Sequence, residues 1–66
     1  MHVPEFLNTR QAAAYLNLSR ARLEIWRHEG QGPPYCKLGR SVRYHRPSLD
    51  AWALSCQRDG TAEEVV

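Results

Sequence analysis

Two helix-start signals separated by a short turn constrain this chain more than any other feature of its sequence. Asn8 followed by Gln11 has the spacing of a capping box, and the alanine-rich segment after them favours a helix. Ser19 is a second N-cap, and Gly30 is placed to end the helix that Ser19 begins. Between the two helices, Asn17 tolerates the left-handed conformation that ends a helix. The spacing therefore predicts a helix-turn-helix.

Helical periodicity assigns faces to both helices. Three residues share one face of the first helix: Ala12, Tyr15 and Leu16. Leu18 is expected to fill the corner between the helices. The second helix is predicted from Arg20 to about Glu29, with Leu23 and Trp26 facing inward. Its opposite face carries Ala21, Glu24, Ile25 and His28.

A hairpin is predicted around Gly39, after a loop that contains Pro33-Pro34. Two registers fit the segment YCKLGRSVRYH. A two-residue turn places Lys37 opposite Val42, on the core side. A three-residue turn instead pairs Leu38 with Val42 and Cys36 with Tyr44, which creates one apolar face. Because a slip of one residue moves every side chain to the other face, the apolar pattern favours the second register.

A third helix is predicted to begin with Pro47, which suits the first helical position. Its expected core stripe has helical spacing and consists of Leu49, Trp52, Ala53 and Cys56. Cys36 lies on the apolar face of the favoured hairpin register, so both cysteines are predicted to be small buried hydrophobes. Order is expected to end at Gly60.

A chain of 66 residues has room for one domain, whose own core is small. We therefore predict an N-terminal arm over 1–6, one domain over 7–57 and an acidic, disordered tail over 58–66. A buried multi-residue active site is not expected. No apolar run approaches the roughly 18 residues of a membrane span, and no secretory leader is evident. We expect an intracellular, reduced protein with no membrane partner.

Basic residues are concentrated in the middle of the chain. Residues 10–46 contain eight bases and two acids, whereas residues 47–66 contain one base and four acids. A basic body of this kind indicates a polyanionic partner. Eight of the nine bases are arginine, the residue best suited to bidentate contact with phosphate and guanine.

The sequence contains no constellation that predicts a cofactor, a metal site or catalysis. The candidate metal ligands lack zinc-finger spacing: His2, His28, His45, Cys36 and Cys56. No Ser-His-Asp or Cys-His arrangement has motif support, and no glycine-rich loop could hold a phosphate. We therefore expect a protein that is not an enzyme and has neither a cofactor nor a small-molecule substrate.

The order of helix, turn, basic helix, basic hairpin and helix predicts a mainly α fold with a small β-hairpin, a winged helix-turn-helix. Over residues 7–57 the chain also resembles the excisionase and AlpA-like branch of the MerR superfamily. The resemblance rests on LNTRQAAAYLNLS, LEIW with Gly30, and GPPYCKLGRSVRYHRPSLDAW. Two positions depart from the family pattern. Arg46-Pro47 stands where a Ser or Asp cap is usual, and Arg22 stands where Thr is common.

A helix-turn-helix places the first turn of its second helix in the major groove of DNA. The predicted major-groove residues are Ser19, Arg20, Ala21, Glu24, Ile25 and His28. Arg20 is the best candidate for a guanine contact, since arginine pairs with guanine in bidentate fashion. Glu24 either accepts from a cytosine amino group or holds Arg20 or His28 in place. Ile25 either meets a thymine methyl or is partly buried against the wing.

The remaining bases are assigned to the DNA backbone or to the wing. Predicted phosphate contacts are Arg10, Arg22, Arg27, Lys37 and Arg43. A solvated helix flank is the alternative for Arg22 and Arg27. Arg43 has a structural alternative, either a bond to the backbone or stacking on Tyr35. The resemblance implies that the wing lies along or in the minor groove, with Arg40 and Ser41 at its tip.

The resemblance implies an excisionase, a recombination directionality factor that binds repeated sites next to an attachment site of a phage or mobile element. Its expected partners are double-stranded DNA, further copies of itself on adjacent sites, and a tyrosine integrase. Its expected location is the nucleoid in the cytoplasm of a bacterial host. An AlpA-like prophage transcription regulator is the main alternative. An interaction module with a vestigial helix-turn-helix and the DNA-binding piece of a terminase are further alternatives.

Overall fold

The computed structural model describes residues 4–58, and six secondary-structure elements follow one another along them. They are β1 (Phe6–Leu7), α1 (Thr9–Leu16), α2 (Arg20–Glu29), β2 (Cys36–Leu38), β3 (Ser41–His45) and α3 (Arg46–Ser55). The expected end of order at Gly60 and most of the predicted acidic tail lie outside the described residues. The predicted boundaries of the arm, domain and tail stay predictions.

The start of α1 is the predicted capping box. Asn8 Oδ1 accepts from the Gln11 backbone N–H at 2.8 Å, and Gln11 Oε1 accepts from the Asn8 N–H at 2.9 Å. Two N–H groups at the helix start are thus satisfied by side chains. Leu7, directly before the cap, is buried and packs with Ala12 in the core. The box and the apolar contact together fix where the first helix begins.

The turn between α1 and α2 follows the sequence prediction. Asn17 has φ 60°, and its N–H donates to the Ala14 carbonyl at 3.1 Å. The Leu18 N–H donates to the Ala13 carbonyl at 2.8 Å, which completes a Schellman motif. Leu18 was expected to fill the corner, but its side chain is exposed. Backbone hydrogen bonds, rather than an apolar plug, shape this turn.

The last turns of α2 contain a tryptophan that packs against a tryptophan of α3. Gly30 ends the helix at φ 72°, as predicted. Leu23 is fully buried and Trp26 is half-buried, so both face inward as expected. The Trp26 ring meets the ring of Trp52 edge-on at 5.6 Å, which packs α2 against α3.

A three-stranded antiparallel sheet has the order β1-β3-β2. The sequence predicts no strand before Leu7, so β1 is an addition to the predicted fold. Phe6 pairs with His45, and Leu7 pairs with Tyr44. This short strand makes β3 the central strand of the sheet, anchored on both sides.

The register of the hairpin formed by β2 and β3 differs from the one favoured by the apolar pattern. Lys37 pairs with Val42 and Leu38 with Ser41, which leaves a two-residue turn. Gly39, the first turn residue, has φ 67°, as a type II′ turn requires. The register predicted from the apolar pattern is wrong because the hairpin extends beyond the core. Leu38 is 55% exposed there, so its burial does not constrain the register.

The start of α3 lies one residue earlier than predicted, so Pro47 occupies the second helical position. Its N-cap, His45, makes no capping hydrogen bond. The Arg46 N–H instead donates to the Glu5 carbonyl at 2.8 Å, and Pro47 has no N–H to satisfy. The carbonyl of Glu5, the residue before β1, thus satisfies a helix-start N–H in place of a side-chain cap.

The predicted core stripe of α3 is only half correct. Leu49 is fully buried and Trp52 is half-buried, but Ala53 and Cys56 are exposed. The helix ends at Ser55, so Cys56 is its C-cap and does not continue the helical stripe. Cys36 is half-buried, since the observed register places it opposite Arg43 and away from the core face. Both cysteines are free. Neither is the buried small hydrophobe that the sequence predicted.

The core is built from residues of α1, α2, α3 and the sheet. Its buried members are Leu7, Ala12, Ala13, Leu23, Tyr44 and Leu49. Tyr15, predicted on the inner face of α1, is 45% exposed, and its hydroxyl donates to Asp50 of α3 at 2.6 Å. Ala13 takes the place expected for Tyr15, because a small side chain lets the second helix approach closely. The arrangement is the predicted winged helix-turn-helix, in which β2, β3 and their turn form the wing.

Candidate nucleic-acid interface

The first turn of α2 presents its side chains to solvent. Ser19 caps the helix, and its Oγ accepts from the Arg22 N–H at 3.1 Å. All but one of the predicted major-groove residues are exposed: Ser19, Arg20, Ala21, Ile25 and His28. Glu24, the remaining one, is half-buried. The structure therefore brings the six residues together on an accessible helix face.

Arg20 and Glu24 form an ion pair along this face. Arg20 Nε lies 3.5 Å from Glu24 Oε2, and both side chains are about half exposed. Of the two roles considered for Glu24, the one that holds Arg20 is observed, while a cytosine contact stays a prediction. An exposed pair of this kind contributes at most about 1 kcal/mol. Arg20 is thus oriented by its neighbour and is still free to exchange that partner for a base.

An open groove joins the start of α1, the start of α2 and the strand β3. Its lining residues are Asn8, Thr9, Arg10, Arg20, Glu24, Val42 and Arg43. Three arginines from three elements meet here with a single acid. A positive concave surface of this kind attracts the phosphate backbone of a nucleic acid. Partial burial against the wing was the alternative role predicted for Ile25. Its side chain does not line this groove and is 48% exposed.

The wing carries its basic residues on an extended tip. Lys37, Arg40 and Ser41 are exposed, and Arg40 is the second residue of the two-residue turn. Arg43 is half-buried, and its Nη1 donates to the Val42 carbonyl at 2.8 Å. The backbone bond considered for Arg43 is therefore present. Arg43 is also one of the residues that line the groove.

Arg27 has a structural role that the sequence did not predict. Its Nη1 donates to the Tyr44 hydroxyl at 2.8 Å and to Thr9 Oγ1 at 3.2 Å. The guanidinium also lies 5.7 Å from the centre of the Tyr35 ring. The two roles predicted for Arg27, a phosphate contact or a solvated helix flank, do not include these bonds. Both hydrogen-bond partners are distant in sequence, so no local signal indicates them. These bonds hold the half-buried Arg27 within the domain, and its phosphate contact stays a prediction.

The other two predicted phosphate residues on the helices remain accessible. Arg10 is exposed on α1 at the groove, and Arg22 is exposed on α2. The Arg22 guanidinium lies 5.6 Å from the centre of the Trp26 ring, so an aromatic contact orients it. Arg10 is in position to contact a polyanion that occupies the groove. Arg22 is accessible but does not line the groove.

Two other features, a cluster of metal ligands and a membrane-spanning helix, are not found in the part of the chain that the structure describes. Within residues 4–58 no three His, Cys, Asp or Glu side chains are grouped as a metal site would need. No helix of this region has the length and apolarity that would be needed to span a bilayer.

Comparison with known families agrees with the geometry. A search among curated proteins gave no match to this chain. A family model described as a helix-turn-helix domain matches residues 6–57, which is most of the chain and includes every element of the fold. The second helix of such domains is the one that enters the major groove of DNA. The chain therefore belongs to the helix-turn-helix domain family of DNA-binding proteins.

Proposed function

We propose that this chain is a sequence-specific, non-catalytic protein of the excisionase type, which binds repeated sites in duplex DNA and bends them. The observation that carries the proposal is the groove in which Arg10, Arg20 and Arg43 converge from three elements, next to the exposed wing tip. This surface carries base-reading and phosphate-binding residues both on α2 and on the wing. It therefore suits a duplex that curves from one to the other.

The first turn of α2 reads the major groove in this proposal. Arg20 leaves Glu24 and donates to the O6 and N7 atoms of a guanine. Ala21 and Ile25 lie on the same exposed face and contact thymine methyl groups. Phosphate contacts come from the exposed Arg10, Arg22 and Lys37 and from the half-buried Arg43. These contacts fix the position of the helix in the groove.

The wing reaches the neighbouring minor groove. Arg40 at the turn is the residue proposed to insert, since a narrow minor groove has a strongly negative potential. Ser41 follows it and is exposed. Contacts to both grooves offset the cost of bending the duplex, which amounts to several kcal/mol.

The bend gives the protein its proposed role in recombination. Several copies occupy adjacent sites, and the curved DNA lets a tyrosine integrase assemble its excising complex. The proposal places the protein on nucleoid DNA in the cytoplasm of a bacterium. The acidic tail, or the region of Glu29, is proposed to face the basic wing of the next copy, and a contact through the tail predicts that deleting the residues after Gln57 reduces cooperativity. Unchanged cooperativity would exclude that contact.

The decisive experiment is selection of bound duplexes from a random pool, with fluorescence anisotropy across a salt series. For roughly four to six neutralised phosphates, the logarithm of affinity should fall against the logarithm of salt with a slope of about −4 to −5. An enriched motif that recurs in direct repeat supports the proposal. Absence of binding, or binding that salt does not affect, contradicts it.

A second assay separates excision from transcription. Gel mobility of circularly permuted fragments measures the bend, and an integrase-dependent excision reaction on the same fragments measures directionality. A bend with stimulated excision supports the excisionase assignment. Occupancy of a promoter with no bend and no effect on excision would instead indicate an AlpA-like regulator, which uses the same surface.

A further inference from the structure

We propose that the hydrogen bond between Arg27 and Tyr44 positions the wing relative to α2 and so makes simultaneous contact with both DNA grooves possible. This inference rests on the proposed function and deepens it. Neither residue touches DNA in the proposal. Both set the relative position of two exposed residues that are proposed to contact DNA: Arg20 on α2 and Arg40 in the turn of the wing.

The bond connects the helix to the central strand of the sheet. Tyr44 is 1% exposed, and its hydroxyl accepts from Arg27 Nη1 at 2.8 Å. The same nitrogen donates to Thr9 Oγ1, at the first residue of α1. One guanidinium nitrogen therefore joins α1, α2 and β3. A hydrogen bond from a charged donor in a partly buried position is among the stronger ones in proteins.

The same guanidinium also lies over the residue that precedes β2, the other strand of the wing. The Tyr35 ring lies 5.7 Å below it, and Tyr35 directly precedes β2. The rings of Tyr35 and Tyr44 are 6.1 Å apart. Arg27 is thus placed at the base of the hairpin, where both strands leave the body of the domain.

The geometry of the strand carries any movement at this point to the wing tip. β3 runs without interruption from Ser41, next to the turn, to Tyr44 and on to His45. On its far side Tyr44 is paired with Leu7, so the strand is clamped between β1 and the Arg27 bond. A strand held at its base and free at its tip amplifies small rotations. Loosening the base should widen the range of angles between the wing and α2.

The test uses two matched tyrosine variants of the full chain. Tyr44→Phe removes the hydroxyl that Arg27 bonds and keeps the buried ring. Tyr35→Phe makes the same chemical change beside the same guanidinium. It serves as the control, because within residues 4–58 the Tyr35 hydroxyl makes no hydrogen bond to another residue. Circular dichroism and thermal melting first establish that both variants are folded under the assay conditions.

Binding is then measured to the selected site and to a random duplex. We expect Tyr44→Phe to weaken binding to the selected site by about fivefold and binding to the random duplex by less than about twofold. Combined with Arg40→Ala, which removes the wing contact, Tyr44→Phe should have little further effect, because the two residues act through one contact. Tyr35→Phe should match the wild type.

A purely structural role gives a different pattern. Equal losses on both duplexes, or losses that add to those of Arg40→Ala, would overturn the proposal, as would unchanged affinity for the selected site. If Tyr44→Phe does not fold, Arg27→Lys keeps the charge and replaces it in the same comparison.

A measurement on the free protein separates this inference from the proposed function. Nuclear magnetic relaxation of the Gly39 and Arg40 amides should show larger motion in Tyr44→Phe than in the wild type or Tyr35→Phe. Unchanged wing motion overturns the positioning role whatever the DNA result. If the motion of the wing increases in Tyr44→Phe but the wild type binds no duplex, the proposed function has failed. The inference that the bond between Arg27 and Tyr44 positions the wing would then still hold.

Discussion

The Tyr15 hydroxyl of α1 donates a 2.6 Å hydrogen bond to the Asp50 carboxylate of α3. The two residues are 35 positions apart in sequence, and the bond crosses the exposed side of the domain. Loss of this bond on ionisation raises the pKa of Tyr15 above its ordinary value of 10.0, burial adds a smaller increase, and the nearby Arg46 opposes it.

This contact predicts a loss of stability at alkaline pH. A raised pKa in the folded state means that the stabilisation is present below pH 10 and is lost as the pH rises through the folded-state value. The difference in unfolding free energy between wild type and Tyr15→Phe should be constant near neutrality and should shrink above pH 10. Urea unfolding at a series of pH values measures it, and a difference that stays constant up to pH 11 contradicts the prediction.

Gly32 is predicted to be harder to replace than Gly30. A Cβ at this position would lie 2.8 Å from Trp26 Cε3 and 2.9 Å from Trp26 Cβ, and its φ is 83°. Gly32→Ala therefore combines backbone strain with overpacking against the tryptophan, and should cost about 2–4 kcal/mol of unfolding free energy.

Gly30→Ala provides the control for this prediction. Gly30 has a similar φ of 72°, but a Cβ there would meet no atom within 4 Å. It should cost only the backbone strain, about 1–2 kcal/mol. Urea midpoints of the two variants give the comparison. Equal losses would show that contact with Trp26 contributes nothing.

Arg20 and Arg10 should have different effects on DNA binding, although both line the groove. Arg20→Ala should relax base preference at one position and cost about 1–3 kcal/mol on the selected site. Arg10→Ala should weaken binding to all sequences alike and reduce the salt slope by about one. Arg58→Ala removes the same charge outside the groove and should change neither property. Identical behaviour of the first two variants would disprove the division into base and phosphate contacts.

Arg40 should influence binding without influencing stability. It lies in the turn of the wing and is exposed, so Arg40→Ala should leave the melting temperature unchanged. We expect it to lower affinity and to abolish any preference for A·T-rich sequence beside the core site, where a narrow minor groove attracts arginine. The test is to select bound duplexes from a random pool with the wild type and with Arg40→Ala, and to compare the two sets of sequences. Retention of the flanking preference in the variant would exclude insertion of this residue.

Local signals made the helical part of the fold predictable. The Asn8-Gln11 capping box, Ser19 and Gly30 act within one helical turn, so sequence alone locates the helix boundaries. The exposed face of α2 follows from helical periodicity for the same reason. The prediction of the inner face of α1 was partly wrong, since Ala13 is buried and Tyr15 is exposed. Periodicity alone does not show which of the two residues lies where two helices must approach closely.

Features that depend on distant residues were not predictable. β1 is only two residues long and exists because β3 has a free edge beside it. The hairpin register was misassigned because Leu38 was assumed to be buried. Nothing near Arg27 in sequence indicates its bonds to Thr9 and Tyr44, which lie 18 and 17 positions away.

The outward face of α2 shares no residue with the buried core, and this separation has a consequence for evolvability. Ala21, Ile25 and His28 are exposed, whereas α2 contributes Leu23 to the core from its other side. In the proposed complex, substitution on the outward face should therefore change DNA recognition without altering the packing of the core. A randomised library at these positions should yield mostly folded members, and one scaffold can be retargeted in small steps to new DNA sequences.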